Sequence, residues 1–275
     1  MLSKTSGLIL SFLIGSLATT DSASGPGRIA FSSTLDGGLH TIAPDGSAAH
    51  RLARGADPAW SPEGRMLVFV SAHDLYVMNA DGSHLRRLTR DRRSASPAWS
   101  PDGKTIAFVR GTGIYLLRLA GGPARRITNP GGQDRSPAWS PDGRTIVFAR
   151  FSEALEHTIG DNYELWTIRP DGSRRTRLTL NFLDDEEPAW SPDGRLIAFT
   201  RYGDVWTMRP DGKGARRLTR GPANDREPAW SPDGRRIAFV SDRAGTDALY
   251  VMSADGSGRR RIPHTQGAVD PAWDR

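Results

Sequence analysis

The tripeptide Pro-Ala-Trp recurs at intervals of 39 to 51 residues, and this repeat constrains the fold more than any other feature of the sequence. Its six copies end at Trp60, Trp99, Trp139, Trp190, Trp230 and Trp273. A period of about 40 to 45 residues with four strand-like runs is typical of the blades of a β-propeller. We therefore predict an all-β protein made of radially arranged, four-stranded blades.

Each repeat predicts four strands separated by tight turns. Residues 188–199 read Pro-Ala-Trp-Ser-Pro-Asp-Gly-Arg-Leu-Ile-Ala-Phe. Ser-Pro-Asp-Gly is a turn signal, because proline presets φ at the second turn position and glycine accepts positive φ. Strand A therefore ends at the tryptophan, and strand B contains Ile-Ala-Phe. Strand C, such as residues 75–78, and the outer strand D, such as residues 86–89, flank an Asp-Gly-Ser turn.

The two ends of the chain predict how the ring closes. Strands B, C and D come first, at residues 28–31, 39–42 and 51–52, whereas the sixth Pro-Ala-Trp stands alone at 271–273. If these parts form one blade, the C-terminal strand completes the N-terminal blade and the ring has no open end. We predict a six-bladed β-propeller of four-stranded blades, closed in this way, as a single domain over residues 25–275.

Residues 1–24 are predicted to be a signal peptide and leader. Lys4 precedes an apolar run at residues 7–18, and small residues follow it, which is the pattern of a secretory signal. An uncleaved anchor is the alternative, but a membrane span needs roughly 20 apolar residues. Cleavage is expected after Ala18 or Ala23. Since the chain has no cysteine, disulfides are excluded, and we expect a periplasmic or secreted protein that is peripheral to the membrane at most.

The formal net charge of +6 suggests binding to nucleic acid, but the distribution of arginine argues against it. Many arginines form doublets in strand D, such as Arg86-Arg87 and Arg216-Arg217. Charged side chains on outer strands prevent edge-to-edge pairing, and their repetition around the rim makes no localised groove. We expect a monomer without a nucleic-acid partner.

The repeat also carries a family resemblance. Pro-Ala-Trp-Ser-Pro-Asp-Gly-Arg-x-Ile-Ala-Phe, followed by Leu-Tyr-Val-Met-x-Ala-Asp-Gly-Ser and Arg-Arg-Leu-Thr, resembles the WD-repeat-like repeat of the TolB propeller family over nearly the whole chain after residue 26. The resemblance implies a periplasmic or extracytoplasmic protein that binds other proteins. It concerns the propeller alone, because TolB has an α/β domain ahead of its propeller and only the leader precedes it here.

The sequence contains few candidate catalytic groups. It has no Gly-x-Ser-x-Gly elbow, no His-Glu-x-x-His pair and no dinucleotide fingerprint. His40 takes the strand C position that aromatic residues occupy in other blades, so it is interpreted as a packing residue. The aspartates of the Ser-Pro-Asp-Gly turns are interpreted as turn formers rather than calcium ligands. We therefore expect no cofactor, no metal ligand set and no catalytic residue.

The strongest candidate site lies just before the repeat motif. The residues that precede each Pro-Ala-Trp are Asp57, Ser96, Ser136, Glu187, Glu227 and Asp270. Strand A is innermost in a propeller, so these residues should ring the mouth of the channel, with the four acids on blades 5, 6, 1 and 2. The two serines would leave a neutral side for an apolar part of a ligand. The alternative is that an acid before proline favours an extended entry to the strand and is merely solvated.

A long insertion marks blade 4. The interval from Trp139 to Trp190 is 51 residues, and the additional residues fall between strands B and C, in the segment 150–163, which includes His157. Insertions in repeat proteins commonly lie on the binding face. We expect this loop to overhang the channel mouth and to contribute His157 to binding.

Two functions remain open at this point. The first is a non-catalytic propeller of the cell envelope that binds a protein or peptide of basic character through the channel mouth and the blade 4 loop. The alternative is a lactonase-like, metal-dependent hydrolase with a divalent cation at the mouth that activates water. The repeated Ala, Trp and Ser of strand A favour the first, because such hydrolases need converging Asn, Glu, Asp and His groups. We therefore do not expect an enzyme.

Overall fold

The computed structural model describes residues 27–152 and 162–274. The first blade has strands β1 (Ile29–Ser33), β2 (Gly38–Ile42) and β3 (His50–Arg54). The second has β4 (Ala56–Trp60), β5 (Met66–Ser71), β6 (Asp74–Asn79) and β7 (Arg86–Arg87). The third has β8 (Ser94–Trp99), β9 (Thr105–Arg110), β10 (Gly113–Arg118) and β11 (Arg125–Arg126).

The remaining strands follow the same pattern. The fourth blade has β12 (Gln133–Trp139), β13 (Ile146–Ser152), β14 (Asn162–Ile168) and β15 (Thr176–Arg177). The fifth has β16 (Asp185–Trp190), β17 (Ile197–Arg201), β18 (Asp204–Met208) and β19 (Arg216–Arg217). The sixth has β20 (Asp225–Trp230), β21 (Arg236–Ser241), β22 (Ala248–Ser253) and β23 (Arg260–Arg261), and the last strand is β24 (Ala268–Trp273).

These strands form six antiparallel, four-stranded sheets in the described residues. Five sheets take their strands in chain order, and the sixth has the order β24-β1-β2-β3. The predicted six-bladed propeller, closed by the C-terminal strand, is therefore confirmed. The part of the chain that the structure describes contains no helix long and apolar enough to cross a bilayer.

The Ser-Pro-Asp-Gly turns between strands A and B are fixed by side-chain hydrogen bonds. In the third blade, the Asp102 carboxylate accepts bonds from the Ser100 hydroxyl at 2.5 Å and the Lys104 N–H at 3.0 Å. Gly103 has a φ of 67°, which a residue with a side chain adopts only with strain. The turn at Asp102 thus uses the aspartate as a turn former, as predicted, and the same bonds recur at Asp142, Asp193 and Asp233.

The tryptophans of the repeat join neighbouring blades. The Trp99 indole N–H donates to the carbonyl oxygen of Ala59, in the preceding blade, at 3.1 Å. Trp99 also packs in one cluster with Phe108 of its own blade and Val68 of the preceding one. Small alanines leave room for these large side chains, so each Pro-Ala-Trp contributes to an interface between two sheets.

Ring closure depends on the last strand. In the ladder between β1 and β24, Ile29 pairs with Trp273 and Ala30 pairs with Ala272. Trp273 is buried, and its indole N–H donates to the Gly27 carbonyl oxygen at 2.9 Å. The Asp274 carboxylate accepts a bond from the backbone N–H of Arg28 at 2.8 Å. The first strand of the propeller is therefore joined to the last strand by an apolar contact and by polar bonds.

The arginine doublets of strand D have two roles. The first arginine, such as Arg86, is exposed on the outer edge, as the sequence predicts. The second, Arg87, reaches inward and pairs with the buried Asp74 carboxylate at 2.5 Å. Arg217 and Asp204 form the same pair in the fifth blade. The protective edge is thus made by one arginine of these doublets, while the other neutralises a buried acid.

The predicted roles of His40 and of the blade 4 insertion can be compared with the structure. The His40 ring stacks on Phe31 with centroids 5.3 Å apart, so it is a packing residue, as predicted. In blade 4, strands β13 and β14 continue into the insertion as far as the pair Ser152 and Asn162. The tip of the insertion, including His157, lies outside the described residues.

Candidate functional site

The residue before each Pro-Ala-Trp has a left-handed backbone conformation. The φ values are 50° for Asp57, 46° for Ser96, 48° for Ser136, 54° for Glu187, 55° for Glu227 and 53° for Asp270. The ladder between strands A and B shifts register at the same place in every blade. The interpretation that an acid before proline favours an extended strand entry is therefore wrong. The position is a β-bulge, a feature that bends a strand and redirects a side chain.

The six bulges meet at the channel mouth. Together with the prolines that follow them, they line one cavity with a volume of about 300 Å³. The structure thus brings together all six residues that the sequence singled out by their place in the repeat: Asp57, Ser96, Ser136, Glu187, Glu227 and Asp270. We call Glu187, Glu227, Asp270 and Asp57 the acidic crescent.

A series of hydrogen bonds runs around the acidic crescent from blade to blade. The Glu187 carboxylate accepts a bond from the backbone N–H of Glu227 at 2.8 Å. The Glu227 carboxylate accepts one from the N–H of Asp270 at 2.5 Å, and the Asp57 carboxylate accepts one from the N–H of Ser96 at 2.8 Å. A longer contact of 3.4 Å joins the Asp57 N–H to Asp270. Each acid is therefore directed toward the next blade.

The serines interrupt this series. A serine side chain is too short to reach the next bulge, and within the described residues no side chain accepts a bond from the N–H of Ser136 or Glu187. The mouth therefore has a side rich in carboxylates and a side with backbone N–H donors. The sequence predicted the acids and the serines, but the backbone donors follow only from the bulge conformation.

Burial and mutual repulsion change the acidity of the crescent. Burial, together with the charges of Glu187 and Asp270, raises the pKa of Glu227 to about 8. Burial and the Asp270 charge raise the pKa of Asp57 to about 6. Burial also raises the pKa of Glu187, which accepts a hydrogen bond from the Thr200 hydroxyl at 2.8 Å. At neutral pH the crescent therefore retains protons and carries fewer than four negative charges.

One arginine beside the crescent was missed by the sequence reasoning. Arg226 donates to the Glu227 carboxylate at 3.2 Å and to both oxygens of Asp247, at 3.1 and 2.8 Å. Arg226 lies just before Glu227, and of the equivalent positions in the other blades only Arg135 is also an arginine. Because Asp247 holds the guanidinium on two sides, Arg226 neutralises only part of the charge on Glu227.

The described residues do not form an evident metal site. No group of three or more His, Cys, Asp or Glu side chains in them is arranged to hold a metal ion. The hydrogen bonds explain this arrangement, because the crescent carboxylates are directed to N–H groups of neighbouring blades and not to one shared point. A hard divalent cation would need several of these oxygens to converge.

The raised pKa values predict that stability falls as pH increases. Glu227 is protonated in the folded state up to about pH 8, whereas an unfolded glutamate ionises near pH 4.3. The stabilisation by its protonated form is therefore present below pH 4 and is lost as pH rises toward 8. We expect Glu227→Gln to gain about 4 kcal/mol of unfolding free energy relative to wild type between pH 5 and 9.

Urea denaturation at a series of pH values would measure this difference. The matched control is Glu63→Gln, which removes one exposed carboxylate from a turn on the opposite face of the ring. The control should follow the wild-type curve at every pH. Parallel curves for Glu227→Gln and wild type would show that Glu227 ionises normally.

These features define the class of protein: a six-bladed β-propeller with a polar channel mouth that is acidic on one side. The chain belongs to the TolB beta propeller domain family, whose model matches residues 39–159 and 201–274. Among curated proteins, none matches the sequence significantly.

Solved structures show the same fold at low sequence identity. TolB from Acinetobacter baumannii matches with a TM-score of 0.76 and 22% identity, over 90% of this chain and 66% of that one. A putative TolB from Agrobacterium tumefaciens matches with a TM-score of 0.68 and 24% identity, over 88% and 91% of the two chains. An oligogalacturonate lyase in complex with manganese matches with a TM-score of 0.60 and 14% identity, over 86% and 74%.

Proposed function

We propose that this protein is a non-catalytic binding module of the cell envelope, which receives a protein or peptide partner at the channel mouth. The observation that carries the proposal is the grouping of Glu187, Glu227, Asp270 and Asp57 on consecutive blades around one cavity. The raised pKa values of Glu187, Glu227 and Asp57 indicate that repulsion and burial are not fully compensated within the protein. A Lys or Arg side chain supplies the missing counter-charge.

Partner binding at this site is coupled to protons. A cationic side chain favours the ionised carboxylates, so it displaces the proton that Glu227 holds at neutral pH and, below about pH 6, the proton on Asp57 as well. Affinity should therefore rise between pH 6 and 8 and fall as salt screens the charges. A weakly held cation could occupy the same crescent when the partner is absent.

The proposed location follows from the sequence. Residues 1–24 have the pattern of a signal peptide and leader, and we assign residues 25–275 to the propeller. We propose that the mature protein acts in the periplasm or outside the cell, as a monomer peripheral to the membrane at most, without nucleic acid. The loop that includes His157 contributes a second contact to the partner.

A random library of displayed 12-residue peptides, selected on the immobilised protein at low salt, tests the proposal. We expect the selected peptides to be enriched in Lys and Arg. The crescent variant, Asp57→Asn with Glu187→Gln, Glu227→Gln and Asp270→Asn, should lose this enrichment, because amides keep the hydrogen-bond acceptors and remove the charge. A synthetic peptide from the selection should bind the variant at least tenfold more weakly, which corresponds to about 1.4 kcal/mol.

Two controls separate binding from folding. The crescent variant should be as stable as wild type or more stable, because it loses repulsion among the acids. Glu63→Gln changes one charge on the opposite face and should leave peptide affinity unchanged. Undiminished binding of the basic peptides by the crescent variant at low salt would refute the proposed site, and the crescent would then be a solvated rim.

The hydrolase alternative is supported by the four carboxylates in one cavity and by the fold shared with the manganese-bound lyase. The directions of the carboxylates argue against it, because the described residues do not converge as metal ligands. Metal analysis of the purified protein distinguishes the two functions. A stoichiometric, tightly bound divalent metal would favour the hydrolase.

A further inference from the structure

Four large apolar side chains are exposed at one place on the mouth face. They belong to the loop between β15 and β16 and to the turn between β17 and β18. The exposed fractions are 60% for Leu180, 72% for Phe182, 38% for Leu183 and 81% for Tyr202. We call these four residues the apolar patch. Single exposed apolar residues are common, whereas a group on adjacent connections marks an interaction surface.

The strand register shows that the two parts of the patch are neighbours. Asp185, at the start of β16, pairs with Arg201, at the end of β17. The residues just before Asp185 and just after Arg201 therefore leave the same end of the fifth blade. That end faces the channel mouth, since Glu187 follows two residues later in β16. The patch thus lies next to the first acid of the crescent.

Buried polar groups hold the patch loop in place. The Asn162 amide donates to the carbonyl oxygens of Leu183 at 2.7 Å and of Asn181 at 3.0 Å. The Asn181 N–H donates to the buried Glu164 carboxylate at 2.6 Å. Because these hydrogen bonds fix the backbone of the loop, the loop loses little conformational entropy when a partner binds to its exposed apolar side chains.

The charges around the patch indicate what kind of partner fits it. Asp184 is exposed and accepts a hydrogen bond from the Tyr163 N–H at 2.8 Å, whereas the Glu186 carboxylate is paired with Arg135 at 3.1 Å. Glu187 follows Leu183 by four residues, a distance of roughly 13 Å in extended chain. An apolar surface bordered by acids complements a segment that carries both an apolar and a basic side chain.

We propose that the apolar patch is the docking surface for a large apolar side chain of a basic protein segment whose Lys or Arg, about four residues away, enters the acidic crescent. This inference rests on the proposed function and adds the apolar half of the ligand. The sequence predicted that the apolar part of the ligand would lie on the side of the mouth formed by Ser96 and Ser136, whereas the structure exposes apolar side chains beside Glu187. A membrane surface is disfavoured as the occupant, because the exposed Asp184 and the carboxylates of the crescent repel anionic headgroups.

The 12-residue peptide library also tests this inference. Peptides selected on wild type should combine Lys or Arg with Phe, Leu, Ile or Trp three to five residues away. Selection on Phe182→Ser should keep the basic residue and lose the apolar one. A synthetic peptide from the wild-type selection should bind Phe182→Ser about tenfold more weakly, the loss expected for part of a buried aromatic side chain.

A double-mutant cycle strengthens the test. Replacing the apolar residue of the peptide by Ser should weaken binding to wild type but have little further effect on Phe182→Ser, because the two changes remove the same contact. The matched control, Leu85→Ser, alters a side chain that is 57% exposed on the opposite face. It should leave affinity unchanged, and both variants should melt like wild type.

Each other outcome overturns the inference in a recognisable way. Basic peptides without an apolar preference, or affinity unaffected by Phe182→Ser, would reject the patch and leave the crescent intact. If the peptides selected on wild type were not enriched in Lys or Arg, the proposed function itself would be rejected. If Phe182→Ser instead reduced binding to phosphatidylglycerol vesicles, the occupant would be a membrane. If the substitution dissociated a dimer, the occupant would be a second copy of this chain. If Phe182→Ser differed from wild type in the full chain but not after deletion of residues 153–161, the occupant would be that segment.

Discussion

Deletion of residues 270–275 is expected to lower the free energy of unfolding by about 5 kcal/mol, because it removes most of β24, the strand that closes the ring. Trp273 is 7% exposed, and its loss alone resembles a large-to-small change in a core. The deletion also removes the ladder partners of Ile29 and Ala30, both fully buried. For a domain of this size the melting temperature should fall by about 10–20 °C.

Two single substitutions, at Trp273 and at Asp270, show how much each residue contributes to the loss of stability. Trp273→Ala should account for about 3 kcal/mol and should match Trp230→Ala, since Trp230 has the equivalent place in the sixth blade and is equally buried. Asp270→Asn should have little effect, because the amide keeps the side-chain oxygen. Calorimetry of the four proteins gives the comparison. A truncated protein that melts within a degree or two of wild type would show that β24 does not stabilise the ring.

Asp225→Ala is expected to cost about 2–3 kcal/mol, because it removes a buried carboxylate that accepts two charge-assisted hydrogen bonds from Arg243, whose side chain is 26% exposed. Both oxygens of the fully buried Asp225 accept bonds from Arg243, at 2.7 and 2.5 Å. Without Asp225, Arg243 would have the Ser241 hydroxyl, at 2.8 Å, and the faces of Phe239 and Tyr250 as neighbours. None of these groups replaces a carboxylate.

The double variant Asp225→Leu with Arg243→Met should recover most of this stability, since apolar residues of similar volume avoid the cost of burying the Asp225 charge. Glu63→Gln serves as the control, because Glu63 and Arg65 form an exposed pair with a separation of 3.8 Å. Its effect should stay below about 0.5 kcal/mol. Chemical denaturation measures all three variants. Equal stability of Asp225→Ala and wild type would show that water solvates Arg243 when its partner is removed.

The fold was predictable because the repeat encodes it locally. Pro-Ala-Trp gives the inner strand and the contact between blades, and Ser-Pro-Asp-Gly gives the turn through its own side chains, as at Asp102. Six copies in one register determine the number of blades. The unpaired Pro-Ala-Trp at 271–273 also predicted the ring closure, because a lone strand needs a sheet and the N-terminal blade lacked one.

The sequence predicted which residues form the site, but not their backbone conformation or their hydrogen bonds. Position within the repeat predicted which residues surround the mouth, since equivalent positions of successive blades meet at the axis. The sequence could not show that the residues before proline are bulges, because proline disfavours the helical region for its predecessor without selecting a left-handed one. The backbone donors beside Ser136 therefore went unpredicted, as did the pairing of Arg226 with Glu227 and Asp247.

The sequence by itself determined the strands, their turns, the number of blades and the ring of polar residues, because each depends on contacts within a repeat or between equivalent positions of adjacent repeats. Only the tertiary structure decided how those polar residues face one another, which of them retain protons, and where apolar side chains stay exposed. These properties depend on distances and burial among residues far apart in the chain. Phe182 and Glu227 acquire their proposed roles only because folding brings both to the same mouth.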